Sequence, residues 1–364
     1  MMEPMSVHPP LGHGEVLQGL WDAARSDRLP HALILRGPEG VGKYHAARWL
    51  ALGLLCDAGP GEPCLTCGPC RRVQADSHPD LFLVDPQAAG QDRMTIHFIV
   101  TRENRPKSAY SGPSIENFLR LRADEGGWRI VCLRDVDSMN VNAQNAFLKA
   151  LEEPGKNTLL LLTSARPDAL LETIQSRTVS VDFARLTQSD TLRILERDAD
   201  MPGLEEPSER EMLARWSLGA PGKAIKLAES GGVPMRALIV DLVAGRLVPE
   251  EAGPAFWELD GEFPGKTPAA QRRTRASALM DLALEWLLDG RRHAARVPLE
   301  DLAHGGVLDQ LTEISAGELE SCMDCLLQAR QDVSLNLSPE ILTERVLRAL
   351  ADLSGRSSAA TRRP

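Results

Sequence analysis

The chain has 364 residues, of which 43% are apolar and 25% are charged, and it carries a formal net charge of −10. These values are typical of a globular protein with two or three domains, and they exclude an overall basic surface of the kind that grips nucleic acid. The sequence contains neither a signal peptide nor an apolar run of about 18 residues, so we expect a cytoplasmic protein with no membrane association. In that compartment the 7 cysteines are expected to be thiols or metal ligands.

A phosphate-binding loop follows the first predicted elements, a short helix over 15–24 and an apolar strand. The string Gly37-Pro-Glu-Gly-Val-Gly-Lys43 has the G-x-x-x-x-G-K spacing, and the Ala-rich amphipathic run behind it predicts the helix that this motif requires. Glycines at Gly37, Gly40 and Gly42 allow backbone N–H groups to converge on phosphate oxygens, and Lys43 would reach the outer phosphates. The pattern therefore predicts a nucleotide cradle.

The last position of the motif departs from the hydrolase pattern. A Mg²⁺-dependent nucleotide hydrolase has Ser or Thr there, with a hydroxyl that ligates the metal ion, whereas this chain has Tyr44. The phenol of a tyrosine lies too far from its own backbone to take that place. The sequence therefore predicts a cradle that lacks one metal ligand, which leaves ATP binding open and disfavours Mg²⁺ binding.

Four cysteines, Cys56, Cys64, Cys67 and Cys70, lie within fifteen residues among Gly and Pro turn formers, three of them at x2 spacing. This spacing fits a tetrahedral four-cysteine zinc site. Four thiolates leave no open coordination position, so the zinc would be structural and would fold an insertion that has few apolar residues. A redox pair, or a lost metal site with spare thiols, is the alternative.

The next segment contains two predicted strands separated by a stretch rich in Gly, Pro and polar residues. Apolar runs predict strands at 81–84 and 128–133, and a short helix at 115–121 precedes the second of them. Residues 87–113 are expected to form a surface insertion, although they include one apolar run at 94–100. The sequence does not assign a role to this insertion.

The end of the third predicted strand lacks the acidic pair of a nucleotide hydrolase. Asp135 stands at the position of the metal ligand, but Val136 stands where a Glu would polarise the attacking water. Asp137 is a poor replacement, because it lies one residue later and adjacent side chains of an extended chain point to opposite faces. Arg134 adds a fixed positive charge beside the metal position. This second defect agrees with the one at Tyr44.

The remaining elements of the first domain are predicted from apolar periodicity and caps. A helix over 141–152 leads to a fourth strand at 158–162, and Thr163 at its end is either a γ-phosphate sensor or a turn former. A helical segment over 167–174 precedes a fifth strand at 179–183.

Five strings occur in this order along the chain: GPEGVGK, SHPDLFLVDP behind the four cysteines, GGWRIV, NAQNAFLKALEEPG and Ser176-Arg177. Each string is common by itself, but their order, with zinc cysteines behind a defective phosphate loop, is specific. Together they resemble the delta-prime subunits of the bacterial DNA polymerase III clamp loader. The resemblance covers residues 10–230, and the C-terminal third is supported by its length and helical pattern.

The resemblance implies an AAA+ fold, namely an α/β module with a parallel five-stranded sheet flanked by helices, a small helical lid and an all-α collar domain. The zinc insertion at 56–70 lies within the α/β module. Four prolines and several glycines favour a linker before the collar. The expected domains are the α/β module at 1–183, the lid at 184–248, the linker at 249–273, the collar at 274–354 and a disordered tail at 355–364.

The resemblance also implies a function in DNA replication, that of the non-hydrolysing stator subunit of the sliding-clamp loader. Its partners would be delta and tau/gamma subunits in a hetero-pentamer, which contacts the sliding clamp and primer–template DNA. In this family an arginine acts in trans on the ATP of a neighbouring motor subunit, and this catalytic role falls on Arg177. Its fixed charge would offset charge that develops on the transferred phosphoryl group. Thr178 departs from the family's Ser-Arg-Cys motif, and a helix-end arginine paired with a carboxylate is the alternative.

Two features of the C-terminal half carry weaker interpretations. The string Gly219-Ala-Pro-Gly-Lys223 resembles the second sensor region of AAA+ lids, with Lys223 where arginine is usual, and a plain helix-start lysine is an equal alternative. Cys322 and Cys325 lie among apolar residues at helical spacing and are expected to be packing thiols. The helices of the collar are predicted at 274–289, 300–314, 317–334 and 339–353.

Two other functions stay open at this point, an autonomous P-loop ATPase motor subunit and a zinc-dependent DNA-binding protein. ATP hydrolysis by the single chain would support the first, and steeply salt-dependent DNA binding would support the second. The leading hypothesis is a chain that is not an enzyme by itself, because the residues for its own catalysis are altered while Arg177 is present.

Overall fold

The structure, a computed structural model, divides into two compact units, Met1–Leu186 and Thr187–Pro364. No helix among the described residues is long and apolar enough to cross a membrane. The described residues are 8–91, 93–101, 106, 109–124, 127–265, 267–298, 302–304, 314–335 and 337–360.

The first unit is built on a parallel five-stranded sheet with the strand order β2-β3-β4-β1-β5. The central strand β4 is buried along its whole length, as expected for a strand that is covered on both faces. All five strands predicted from apolar runs are present. The strands are β1 Ala32–Arg36, β2 Leu81–Val84, β3 Arg129–Leu133, β4 Thr158–Ser164 and β5 Val179–Asp182.

Helices cover the sheet and connect its strands. The cap predicted for the helix that follows β3 is observed, because the side chain of Asn140 accepts a hydrogen bond from the backbone N–H of Ala143 at 2.9 Å. The helices are α1 Gly14–Arg25, α2 Lys43–Leu55, α3 Gly68–Gln74, α4 Ile96–Ile99, α5 Ile115–Arg120, α6 Val141–Glu152 and α7 Glu172–Gln175, with short 3₁₀ turns at Val136–Ser138 and Pro167–Ala169.

The segment 87–113 is not simply a surface insertion. Its apolar run forms the short helix α4, and Met94 and Phe98 are fully buried in the core that α6 shares with the sheet. The ring of Phe98 stacks on that of Tyr110 with centroids 3.9 Å apart. The surface prediction was wrong for this run because the apolar residues, and not the surrounding Gly and Pro, decide where it packs.

The second unit is helical and contains two clusters of buried apolar residues. One cluster lies among α8, α9 and α10, and the other joins α11 to α15. The predicted collar helix at 300–314 lies mostly outside the described residues. The helices are α8 Gln188–Arg197, α9 Pro207–Trp216, α10 Pro221–Glu229, α11 Gly232–Val243, α12 Pro249–Glu258, α13 Pro268–Ala294, α14 Ala316–Ser334 and α15 Pro339–Ala360.

The prediction of a linker over 249–273 was wrong. Helix α12 and the first turns of α13 occupy most of this segment, and Ala252 and Phe256 are buried in the larger cluster. Pro249 and Pro268 stand in the first turn of their helices, where the missing N–H and the fixed φ are tolerated. The prolines that favoured a linker therefore begin helices.

Two further boundaries differ from the expected domains. Helix α11, expected in the lid over 184–248, packs in the same cluster as the collar helices α13, α14 and α15. Helix α15 continues to Ala360, so the residues at 355–360 of the expected disordered tail are helical. The predicted fold class is confirmed: a parallel sheet flanked by helices, carrying a four-cysteine insertion, is followed by a helical C-terminal region.

Candidate functional site

The phosphate loop connects the carboxyl end of β1 to the first turn of α2. Three of its glycines have positive φ angles, 153° at Gly37, 79° at Gly40 and 95° at Gly42. A Cβ atom added to Gly37 would lie 2.1 Å from the carbonyl oxygen of Phe183 at the end of β5, so no side chain fits there. The predicted loop glycines thus adopt the backbone that only glycine takes without strain.

Lys43 turns back onto its own loop. Its ammonium group donates hydrogen bonds to the carbonyl oxygens of Gly37 and Pro38, both at 2.7 Å. Only 6% of its surface is exposed, and burial lowers the pKa of its ammonium group. The lysine is therefore held where an outer phosphate group would approach, and two of the three N–H donors of its ammonium group are directed at loop carbonyls.

Tyr44 turns its ring into the protein. Its hydroxyl is buried and has no hydrogen-bond partner among the described residues, and burial raises the pKa of the phenol well above its usual value. The guanidinium carbon of Arg134 lies 5.4 Å from the centroid of the ring. Tyr44, at the position of the metal-ligating hydroxyl, thus packs its ring near the guanidinium group of Arg134.

Arg134 itself bridges two carboxylates. Its Nη1 donates to Oδ2 of Asp85 at 2.9 Å, and its Nε lies 3.6 Å from Oδ2 of Asp135. Asp85 and Arg134 follow adjacent strands whose last residues, Val84 and Leu133, are paired in register. The guanidinium group of Arg134 is thus held beside Asp135, at the expected metal position, by contacts with both carboxylates.

The two residues that follow Asp135 are engaged within the fold. Val136 is fully buried in the core, with none of its surface exposed. Asp137 accepts a hydrogen bond from the backbone N–H of Ala165 at 3.2 Å and pairs with Arg166, so it holds the turn after β4. The sequence-based rejection of Asp137 as a replacement for the missing Glu agrees with this geometry.

Mg²⁺ prefers an octahedral set of oxygen ligands at about 2.0–2.1 Å. At this loop the position of the hydroxyl ligand is occupied by Tyr44, whose phenol is buried. The carboxylate ligand, Asp135, has the guanidinium group of Arg134 beside it. Burial raises the pKa of Asp135, and the charges of Arg134 and Lys43 oppose that rise. The residues present do not fit the metal ion that a phosphate loop ordinarily uses.

Arg177 lies at the amino ends of the strands, opposite the carboxyl ends that carry the phosphate loop. These two sides of the sheet are called the amino edge and the carboxyl edge below. Arg177 precedes β5, whose residue Val179 pairs with Leu33 in the parallel strand β1. The phosphate loop begins at Gly37, four residues further along β1, which corresponds to about 13 Å along the strand direction. The arginine therefore cannot serve the phosphate loop of its own chain.

The side chain of Arg177 is 38% exposed. Its Nη2 lies 2.9 Å from Oε1 of Glu152 at the end of α6, and its Nη1 donates to the carbonyl oxygen of Thr173 at 3.0 Å. The alternative interpretation, an arginine paired with a carboxylate at a helix end, thus describes its contacts within this chain. The pairing leaves part of the guanidinium group open to solvent.

The four cysteines meet in one cluster. Their sulfur atoms all lie within 4.8 Å of one another, with 4.0 Å between Cys56 and Cys67 and between Cys64 and Cys70. A tetrahedron of thiolates about 2.3 Å from a zinc ion has S–S edges of about 3.8 Å. The cluster is therefore slightly wider than a zinc site and has its shape, so it could hold a metal ion.

Backbone N–H groups donate to two sulfur atoms of this cluster and favour the thiolate of Cys64, whereas burial raises the pKa of Cys70. The N–H of Cys67 donates to Sγ of Cys64 at 3.4 Å, and the N–H of Cys64 donates to Sγ of Cys56 at 3.4 Å. Hydrogen bonds from the backbone of Thr66 and Cys67 lower the pKa of Cys64 to about 6. Cys56 directly follows α2 and Cys70 lies in α3, so a metal ion would clamp these two helices together.

Lys223 is engaged elsewhere in the second unit. Its ammonium group donates to both carboxylate oxygens of Glu285 in α13, each at 2.7 Å. This contact is the one expected of a helix-start lysine, and its predicted role at a phosphate group stays a prediction. Of the packing thiols, Cys322 is buried and Cys325 is half-buried.

Comparison with known proteins decides the family. A family model described as DNA polymerase III, delta subunit, matches residues 12–187. The DNA polymerase III subunit delta′ of Pseudomonas aeruginosa is 32% identical over 93% of this chain and 97% of its own length. The chain belongs to the delta′ family of DNA polymerase III subunits.

A second delta′ protein, from Bacillus subtilis, is 33% identical over 50% of this chain and 51% of its own length. Among solved structures, a DNA polymerase III gamma subunit-related protein of Thermotoga maritima has 14% identity and a TM-score of 0.48, with 92% of this chain and 99% of that chain covered. The delta′ resemblance drawn from the five strings is confirmed.

Sequence reasoning missed two residues of this delta′ chain that contact predicted ones. Asp85 binds Arg134, and Glu152 binds Arg177. Asp85 directly follows the second strand, so the strand order would have placed it beside the end of the third strand. For Glu152 the sequence carries no signal, because the distance between 152 and 177 along the chain gives no contact.

Proposed function

We propose that this chain is the stator subunit of a sliding-clamp loader, which does not hydrolyse ATP itself and presents Arg177 to ATP bound by a neighbouring subunit. The observation that carries the proposal is the position of Arg177. It is partly exposed at the amino edge of the sheet, whereas the phosphate loop of the same chain lies at the carboxyl edge. An arginine so placed serves a nucleotide only if another chain supplies it.

The state of the phosphate loop supports the same proposal. Val136 offers no carboxylate to a water molecule, and Asp137 is bound to the turn after β4. General acid–base chemistry needs a group that can take or orient the proton of the attacking water. We therefore expect no ATP hydrolysis by the chain alone, and the autonomous ATPase becomes the less favoured alternative.

The proposed partners are delta and tau/gamma subunits in a hetero-pentamer, through which the chain reaches the sliding clamp and primer–template DNA. Proteins named DNA polymerase III subunit tau, from Bacillus subtilis and Escherichia coli, are 25% and 26% identical to this chain over 63% and 68% of its length. Related subunits of one assembly commonly pack through similar surfaces. The proposed metal is one structural zinc ion at the cysteine cluster, clamping α2 to α3.

The test is a complex reconstituted from this chain and its native partner subunits. Arg177→Ala should lower ATP turnover of the complex by about tenfold or more, since an arginine acting in trans contributes large factors to phosphoryl transfer. Assembly, followed by gel filtration, should not change. Arg28→Ala is the matched control, because Arg28 is an exposed arginine before β1 at the same edge of the sheet. Normal ATP turnover in the complex that carries Arg177→Ala would contradict the proposal.

A further inference from the structure

The guanidinium group of Arg134 is a cation that lies beside the phosphate loop of this chain. The guanidinium group of Arg134 packs against the ring of Tyr44, donates to Asp85 at 2.9 Å and lies beside Asp135 at 3.6 Å. Tyr44 and Asp135 stand at the two positions from which a hydrolase ligates its metal ion. Both of them contact the same guanidinium group instead.

The charges around Asp135 are mixed. Its carboxylate interacts with the cations of Arg134 and Lys43, and also with the carboxylates of Asp137 and Glu39. A Mg²⁺ ion there would lie at short range from two fixed positive charges, and the hydroxyl ligand that a phosphate loop ordinarily supplies is absent at Tyr44. Electrostatic repulsion and the missing hydroxyl both oppose the ion.

An anion is treated differently by the same groups. The loop retains the glycine backbone of a phosphate cradle at Gly37, Gly40 and Gly42, and it lies at the first turn of a helix of 13 residues. Lys43 holds its ammonium group on two carbonyl oxygens that a phosphate oxygen could replace as hydrogen-bond acceptor. The side chain of Arg134 is 35% exposed, and its planar guanidinium fork suits phosphate oxygens.

We propose that Arg134 takes the place of the divalent cation at this loop, so that the loop binds a nucleoside polyphosphate in its metal-free form. The fixed guanidinium group neutralises phosphate charge as the ion would, but it cannot supply the coordinated geometry that phosphoryl transfer uses. The bound nucleotide is then a structural ligand that persists unhydrolysed. This inference concerns nucleotide held by this chain, so it stands or falls separately from the role of Arg177 at a neighbour.

The experiment is calorimetric titration of the full-length chain with ATP, once in excess EDTA and once in excess MgCl₂. We expect binding in EDTA at least as tight as in MgCl₂, because Mg²⁺ holds ATP in a complex that this loop does not accept. Arg134→Ala should weaken binding in EDTA by about tenfold or more, the scale of a lost charge-assisted contact. Arg120→Ala removes the same charge from α5, where the arginine is 68% exposed, and should change the affinity by less than about twofold.

Two results would overturn the proposal: binding that requires Mg²⁺, and the absence of ATP binding in both buffers. Thermal unfolding reports whether each variant is folded. Should Arg134→Ala unfold, Arg134→Lys provides the second test, because lysine keeps the charge without the fork. That variant should bind ATP more weakly than the parent chain and should still bind it at least as tightly in EDTA as in MgCl₂, and a gain of Mg²⁺ dependence would contradict the assignment.

Discussion

The cationic side chains at the two edges of the parallel sheet have different surroundings. At the carboxyl edge Lys43 is held by loop carbonyls, and Arg134 is held by Asp85 and stacked on Tyr44. At the amino edge Arg177 pairs with the exposed carboxylate of Glu152, and its side chain is 38% exposed. Lys43 and Arg134 therefore lie at the phosphate loop of their own chain, whereas Arg177 lies on the surface away from that loop.

The amino edge also provides an internal comparison between two arginines. Arg129, the first residue of β3, is buried and lies 2.8 Å from Oδ1 of the buried Asp80. It also stacks on Phe118, with 3.9 Å between its guanidinium carbon and the ring centroid. Arg129 is thus part of the core, while Arg177 on the same edge is a surface group. The predictions below separate folding roles from functional ones at each edge.

The largest effect is expected at the carboxyl edge, for Gly37→Ala. The added Cβ would meet the Phe183 carbonyl oxygen at 2.1 Å, and the φ angle of 153° is strained for alanine. We expect a loss of about 4–6 kcal/mol in the free energy of unfolding, from strain and from displacement of the end of β5. Denaturant unfolding measures it.

The matched control for this substitution is Gly19→Ala, in the middle of α1, where an added Cβ meets no atom within 4 Å. Alanine in a helix interior should stabilise the chain by about 0.5–1 kcal/mol. Equal effects of the two substitutions would show that the loop backbone is not constrained as described.

The next largest effect is expected for Arg129→Ala at the amino edge. Removing the arginine takes a buried cation away from the buried carboxylate of Asp80, which should cost about 3–5 kcal/mol of unfolding free energy. Arg177→Ala should change the same quantity by less than about 0.5 kcal/mol, because the residue is largely a surface group. Chemical denaturation of both variants decides the comparison, and similar losses would contradict it.

Metal removal should have an intermediate effect. We expect one equivalent of zinc in the purified chain, and Cys67→Ser should release it and lower the midpoint of thermal unfolding by about 5–10 °C. The cause is the loss of the clamp between α2 and α3. Cys325→Ser, in the second unit, should retain the metal, and an unchanged zinc content in Cys67→Ser would show that the cluster is not the binding site.

The smallest effect is expected for Glu152→Gln. The ion pair with Arg177 is exposed, so its loss should change stability by at most about 0.5–1 kcal/mol. Freed from its partner, Arg177 should sample more orientations, and ATP turnover of the reconstituted complex should fall by about twofold to fivefold. Glu153→Gln, which changes the adjacent carboxylate, should have no effect on turnover. A fall as large as that of Arg177→Ala would assign Glu152 a direct role.

Much of the first unit was predictable, because local signals and final packing agree in it. The apolar runs at β1 to β5 are long enough to be buried, and α6 begins at Asn140, whose side chain caps it as predicted. The glycine spacing fixed the loop, and the cysteine spacing fixed the cluster. In each case the deciding groups are close together in the sequence.

The parts that were not predictable depend on distant contacts. The prolines at 249–273 were interpreted as linker residues, although Pro249 and Pro268 begin helices, and only the burial of Phe256 distinguishes the two outcomes. The partner of Arg134 is 49 residues away in the sequence and becomes a neighbour only through the strand order. Local patterns carry no information about such pairs.

Helix α2 links the loop and the cysteine cluster mechanically. It begins at Lys43 and ends at Leu55, just before Cys56, and its 13 residues span about 20 Å. Most of its residues are buried. Cobalt(II) substituted at the cysteine cluster would be a paramagnetic centre at the carboxyl end of this helix. Its pseudocontact shifts would report, from one end of the helix, whether the loop at the other end holds a ligand.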